Sequence, residues 1–145
     1  MQQRRWILRN DMIWYKPNVP PRPERDRLRL AHEHFFHFVK RPTEGRAKYF
    51  YDVEAVEPRA TDVVTCCARP GENGHTATFP TELIRPRILS SCPPAGTVLD
   101  PFCGTGRALR VALASGRNAI GFDMVAQYLD TIRRTIGDGE EENCS

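Results

Sequence analysis

A chain of 145 residues with 40% hydrophobic side chains falls in the one-domain range and can bury a core. No run of about 18 apolar residues occurs, and Met1-Gln2-Gln3-Arg4-Arg5 leads into a mixed segment, which excludes a predicted membrane span or secretory leader and makes the cytoplasm the expected compartment. The net charge of +3 is unevenly placed: residues 1–48 hold 12 Lys/Arg against 5 Asp/Glu, a net of +7, which leaves −4 for residues 49–145.

The first predicted elements lie in the basic third. Asp11 to Tyr15 and His34 to Val39 are rich in aromatic and β-branched residues, and a Pro/Arg loop separates them, so they read as an N-terminal β-hairpin. Lys16, Arg22, Arg25, Arg27 and Arg29, beside Trp14 and Tyr15, suit contact with a phosphate backbone. On charge alone a solvated, proline-rich loop is an equal alternative. Trp14, Phe35 and Phe36 are assigned to the core first, since aromatics in a hairpin more often pack than stack on bases. His32-Glu33-His34-Phe35-Phe36-His37 lacks the His-Glu-x-x-His spacing of a zinc helix, because position 36 is Phe36. On a strand His32 and His34 share one face and His37 takes the other, so no metal site is expected.

Residues 53–74 contain Pro58, Pro70, Gly71 and Gly74 and read mostly as loop. A helix is predicted from about Pro80 to Ser90, a strand at Thr97 to Leu99, a helix from Arg107 to Ser115, a strand at Ala119 to Phe122 and a helix from Ala126 to Ile136. The acidic tail 137–145 is expected to be disordered. Five cysteines, Cys66, Cys67, Cys92, Cys103 and Cys144, are odd in number and form no C-x-x-C pair, which favours reduced thiols over a disulfide framework. No histidine completes a zinc-like spacing with Cys66 and Cys67.

The chemistry concentrates in Val98-Leu99-Asp100-Pro101-Phe102-Cys103-Gly104-Thr105-Gly106 followed by Asn118-Ala119-Ile120-Gly121-Phe122-Asp123. A short apolar strand ends in an acid, a Gly-x-Gly loop turns the chain, a helix follows, and a second strand ends in another acid. That is a βαβ unit with its acids where open α/β sheets place their ligand crevice. Gly104 and Asp123 stand 19 residues apart, close to the roughly 20 between a glycine loop and a ribose-binding acid. The spacing fits an adenosine-containing cofactor. A P-loop would need Gly-Lys-Ser/Thr, and a dinucleotide fingerprint would need a third glycine where Leu109 stands. The loop therefore argues against cofactors held by their phosphates.

With Pro101 and Phe102 ahead of the glycines, the loop resembles the Asp-Pro-Phe-x-Gly-x-Gly signature of S-adenosylmethionine-dependent DNA amino-methyltransferases. The resemblance extends to their circularly permuted class. His75-Thr76-Ala77-Thr78-Phe79-Pro80 with Glu82-Leu83-Ile84 is similar to the segment that precedes the glycine loop there, and Leu8 to Asn18, Asp26-Arg27, His32 to Phe36 and Tyr49 to Asp52 are similar to the hairpin that follows the catalytic strand.

The resemblance implies an α/β fold: a partial Rossmann-like methyltransferase sheet with the N-terminal hairpin, built as one domain over residues 1–136. Residues 1–52 would be the basic hairpin region, 53–74 a loop and 75–136 the cofactor-binding half. It implies S-adenosylmethionine held by Asp100, Pro101, Phe102, Gly104, Gly106 and Asp123, with His75, Thr78 and Phe79 on the methionine side. It implies double-stranded DNA as partner, methylated at cytosine N4 or adenine N6, with a lean to cytosine N4 from the hairpin and the His75 to Pro80 block.

Two departures from the family pattern stand out. Arg107 replaces the usual Thr after the second glycine. No Asn/Asp/Ser-Pro-Pro-Tyr/Phe loop, which receives the amine of a flipped base, occurs: Val19-Pro20-Pro21-Arg22 and Cys92-Pro93-Pro94-Ala95 carry the prolines alone. The chain is thus expected to be the carboxyl-terminal portion of such an enzyme, without catalytic residues of its own, and to need a complementing chain or a homodimer. A non-catalytic DNA-binding or regulatory protein with the same fold, or an inactive remnant, is the competing expectation.

Overall fold

A computed structural model of the chain describes residues 5–19, 25–56, 60–68 and 79–137. Strands β1 (Trp6–Tyr15), β2 (His32–Lys40) and β3 (Val63–Thr65) precede helix α1 (Thr81–Ser91), strand β4 (Thr97–Asp100), helix α2 (Arg107–Ala114), strand β5 (Asn118–Gly121) and helix α3 (Ala126–Gly137). They form two sheets: β2-β1-β3 and the pair β4-β5.

The hairpin has the predicted polarity, and its strands run further than the aromatic cores suggested. β1 and β2 pair antiparallel from Trp6 opposite Lys40 to Tyr15 opposite His32, with a register shift between Leu8 and Asn10. Alternation places Trp14 and Val39 on the inner face, where both are buried, and Leu8, Phe36 and Phe38 on the outer one. Phe36, expected in the core, is 50% exposed, because β2 carries apolar side chains on both faces and Phe36 falls on the outer one. Trp14 is in the core as expected, donating its Nε1 proton to the Cys66 carbonyl at 2.9 Å. The predicted split of the histidines holds: His32 and His34 lie 5.5 Å apart on the outer face, while His37 stacks on Tyr51 at 5.6 Å.

The predicted loop over residues 53–74 is interrupted by β3, which lies parallel to β1 with Ile13 opposite Val63. The Ile13 amide donates to the Asp62 carbonyl at 2.7 Å and the Cys66 amide to the Tyr15 carbonyl at 3.2 Å. Asn18 continues the ladder with a side chain: its amide group donates to the Ala68 carbonyl and accepts from the Ala68 amide, at 2.7 and 2.9 Å. Three residues are too short a run to stand out in sequence. The side chain of Asn18 acts as one more strand residue.

The helices follow the predicted spans closely. Ala108, Val111 and Ala112 recur at helical spacing on α2 and bury against Ile88 of α1, with Phe79, Ile84, Val98 and Ala119 around them. Leu109, on another face of α2, meets Cys103 and Ile132 of α3. Pro86 inside α1 gives up one helical hydrogen bond. The helix is retained because Leu83 and Ile88 are buried, and its end is closed by the Cys92 amide donating to the Ile88 carbonyl at 2.9 Å. The expected acidic tail lies outside the described residues beyond Gly137, the last residue of α3.

Cys66, Cys67, Cys92 and Cys103 are free thiols, as the odd count implied. Burial, and then the carboxylates of Asp100 and Asp123, push the Cys103 thiol up from its ordinary range. Since the thiolate is the reactive form, Cys103 is protected twice, by inaccessibility and by protonation. With iodoacetamide near pH 8, exposed Cys67 is expected to be alkylated first and Cys103 only after denaturant is added, as peptide mass mapping reads directly.

Gly106 caps α2 in the left-handed conformation at φ 80°, and a Cβ there would meet Cγ1 of Ile132 at 2.8 Å. The Gly106→Ala variant is expected to lose about 2 kcal/mol of stability through backbone strain and displacement of α3. A lowered urea midpoint at unchanged slope is the signature.

Candidate functional site

The site is built where two parallel strands end side by side. β4 and β5 pair in register, Asp100 opposite Gly121, so the loop after β4 and the residues after β5 leave the same end of the sheet. Backbone bonds hold them together: the Phe122 amide donates to the Asp100 carbonyl at 3.0 Å and the Cys103 amide to the Phe122 carbonyl at 2.9 Å. The carboxylates complete the clasp. Asp123 Oδ2 accepts the Gly104 amide at 2.9 Å and Oδ1 the Val125 amide at 2.8 Å, while Asp100 Oδ1 accepts the Phe102 amide at 3.0 Å.

The clasp fixes what the loop exposes. Cys103 turns inward to the core, and Pro101 and Phe102 turn outward, with Phe102 86% exposed beside the exposed Phe122 and Met124. Gly104 sits at φ 51° between them. Each carboxylate oxygen has a second lone pair, so Asp123 can close the loop and still accept from a ribose hydroxyl. An aromatic face, two carboxylates and a side-chain-free turn suit a nucleoside better than a phosphate. Arg107, left open by sequence, is only 4% exposed at the first turn of α2, which withdraws it from any surface presented to DNA.

The structure brings together Asp100, Pro101, Phe102, Gly104, Gly106 and Asp123 at one end of β4 and β5. Phe79 stands apart as core, packed against Ile88, Ala108, Val111 and Ala112. His75 and Thr78 lie outside the described residues, as does Arg22. Of the basic residues, Arg25, Arg27 and Arg29 are exposed, and Arg29 also donates to the Val19 carbonyl at 3.1 Å. Lys16 is differently placed: its ammonium sits 5.1 Å from the centre of the Trp14 ring and 2.5 Å from Glu33 Oε1. Its charge is spent within the hairpin. Among the described residues no group of three or more metal-ligating side chains converges, and no helix is long and apolar enough to cross a membrane.

Sequence reasoning missed Gly121. A Cβ at this strand position would meet Leu109 Cδ1 at 2.5 Å and Cys103 Sγ at 2.9 Å, so the glycine lets α2 and the loop close onto the end of β5. The only signal available was a glycine inside an apolar strand, a mark of close approach by another element.

Comparison with known proteins agrees with this geometry. The chain is 36% identical over 151 aligned residues to the type II methyltransferase M.Cfr9I of Citrobacter freundii, covering 99% of this chain and 48% of that protein. It is 33% identical to the type II methyltransferase M.SmaI of Serratia marcescens, covering 94% of this chain and 48% of that protein. Its fold matches the crystal structure of the M1.HpyAVI-SAM complex with TM-score 0.73 at 23% identity, over 90% of this chain and 62% of that one. It matches the PvuII DNA methyltransferase (cytosine-N4-specific) with TM-score 0.68 at 20% identity, over 93% of this chain and 52% of that one. The chain spans about half the length of the curated relatives it matches. The family model of the N6/N4-type DNA methylases matches residues 1–134, and with the α/β fold in place the chain belongs to that DNA methylase family.

Proposed function

We propose that this chain is the cofactor-binding part of a site-specific DNA amino-methyltransferase acting in the cytoplasm, and that it binds S-adenosylmethionine on the loop after β4. The supporting observation is the clasp from Asp123 to Gly104, which holds a Gly-x-Gly turn at the carboxyl ends of two neighbouring parallel strands with the Phe102 ring open beside it. Asp123 takes the ribose hydroxyls, Phe102 covers the adenine, and Asp100, Pro101, Gly104 and Gly106 shape the path to the methionine end. His75 and Thr78 complete that side, while Phe79 supports it from the core. The cofactor supplies an activated methyl on its sulfonium. An exocyclic amine of cytosine (N4) or adenine (N6) in a flipped base is the acceptor, with the polar loop that receives it contributed by a complementing polypeptide.

Double-stranded DNA is the partner that suits the basic hairpin loop. Arg25, Arg27 and Arg29 supply phosphate contacts, whereas Lys16, neutralised by Glu33, contributes little. In fluorescence anisotropy on a duplex, replacing the three arginines with alanine is expected to reduce the slope of log affinity against log salt by about 2 to 3, and Lys16→Ala to leave it nearly unchanged. An equal loss from Lys16→Ala would reverse that assignment.

Calorimetric titration of the purified chain with S-adenosylmethionine tests the cofactor reading. Micromolar affinity, about −8 kcal/mol, is expected. Asp123→Ala abolishes it, but that variant also opens the clasp. Phe102→Ala is the cleaner control, because so exposed a ring contributes little to stability: a roughly tenfold loss of affinity at unchanged Tm is expected. A folded chain that takes up no S-adenosylmethionine would leave the non-catalytic reading in its place.

A further inference from the structure

The end of the hairpin opposite the Arg25, Arg27 and Arg29 loop carries a second concentration of positive charge. β1 is ten residues long, so its Trp6 end lies roughly 30 Å from its Tyr15 end. Near the Trp6 end, the register shift between Leu8 and Asn10 leaves Arg9 as the extra residue on β1. A bulge of this kind re-aims one side chain. The Arg9 guanidinium lies over the Tyr49 ring, 5.7 Å from its centre, and His37 meets the same ring edge-on at 6.2 Å. A guanidinium held against a ring keeps its N–H donors for other partners.

The chain leaves β2 at Arg41 and turns at Gly45, whose φ of 73° is in the left-handed region. The Arg41 amide, donating to the Arg5 carbonyl at 2.8 Å, ties this segment to the start of β1. Arg9, Arg41 and Arg46 line one cavity of about 500 Å³ together with Tyr49 and Thr43, and Glu44 is the one carboxylate in its wall. Three cations against one anion leave a net of 3 − 1 = +2 facing the cavity. Among the described residues none of the three arginines has an ion-pair partner. Lys16, held by Glu33, shows the contrast. Burial, and then the Arg9 cation, hold His37 below its ordinary range, as a concentrated positive field does to a neighbouring imidazole.

The geometry points to a second anion site, sharing no residue with the crevice after β4, that takes a phosphate group between Arg9, Arg41 and Arg46. Guanidinium forks match phosphate oxygens two at a time, and the Thr43 hydroxyl adds a donor. A phosphate brings up to two negative charges to a net of +2, where a carboxylate brings one. Two sources share this chemistry. A free nucleotide is of a size that such a cavity admits. Alternatively, the phosphate belongs to the backbone of a duplex: the roughly 30 Å between the ends of β1 is close to one helical turn of DNA, so one duplex could touch both basic ends of the hairpin. The site needs neither S-adenosylmethionine nor methyl transfer, and it stands or falls apart from the reading above.

Calorimetric titration of the full chain with pyrophosphate at low salt tests the free-ligand source. Saturable binding at one site is expected, weakened at least roughly tenfold when Arg41→Gln is combined with Arg46→Gln. Both side chains are exposed, so an unchanged circular dichroism spectrum is expected. Arg85→Gln combined with Arg133→Gln removes the same charge from exposed positions on α1 and α3 and is expected to leave the affinity unchanged. Fluorescence anisotropy on a duplex tests the backbone source: the Arg41 and Arg46 pair is expected to lower the slope of log affinity against log salt by about 2, and the control pair to leave it in place. A selective loss in either assay supports the site and identifies its source. An equal response to the two pairs reports net charge alone and overturns the site, as does no response in both assays. Pyrophosphate binding that survives replacement of Arg25, Arg27 and Arg29 while duplex binding is lost separates this site from the hairpin loop.

Discussion

The Asp123 carboxylate is the constraint from which the half of the fold around β4 and β5 is built. By accepting the Gly104 amide with one oxygen and the Val125 amide with the other, it joins the loop after β4 to the start of the segment leading into α3. Without that bridge only the backbone bonds of Cys103 and Phe122 would tie together the segments that leave two strands of four residues each. With it, Cys103 is drawn into the core against Leu109 and Ile132, and Phe102 is turned out. Asp123 is half-buried, and a carboxylate withdrawn from water is costly unless its lone pairs are used. Here backbone amides use them, so the group that would hold a ligand also holds the fold.

Close packing of α2 depends on small residues at matched places. Ala112 is wholly buried between α1 and the strands, and Gly121 and Gly106 admit Leu109 and Ile132 to within contact. Arg107 at the start of α2 changes the character of that helix end. Helix N-termini ordinarily favour anions, and here the first turn carries the Arg107 side chain at only 4% exposure.

Much of this was legible because the signals are local. The glycines, the strand-ending acids and the helical spacing of Ala108, Val111 and Ala112 all fall within one βαβ unit, where sequence distance and spatial distance nearly coincide. What sequence did not reveal depends on distant partners. β3 is only three residues long and pairs with a strand some 50 residues away. Lys16 reads as a phosphate contact until Glu33 is placed across the hairpin from it. Phe36 reads as core because β2 is apolar on both faces, and alternation names no inner face when neither is polar.

In open α/β sheets the ligand crevice lies at the carboxyl ends of the strands, next to wherever the order of the sheet changes direction. β4 carries the glycine loop at its carboxyl end, and its outer edge has no strand among the described residues. Any parallel strand added along that edge must therefore end beside Phe102 and Gly104, whatever its sequence. A polar loop placed at the end of such a strand would reach the crevice without further positioning. The strand ends, and not the identity of any one side chain, fix where the crevice can lie.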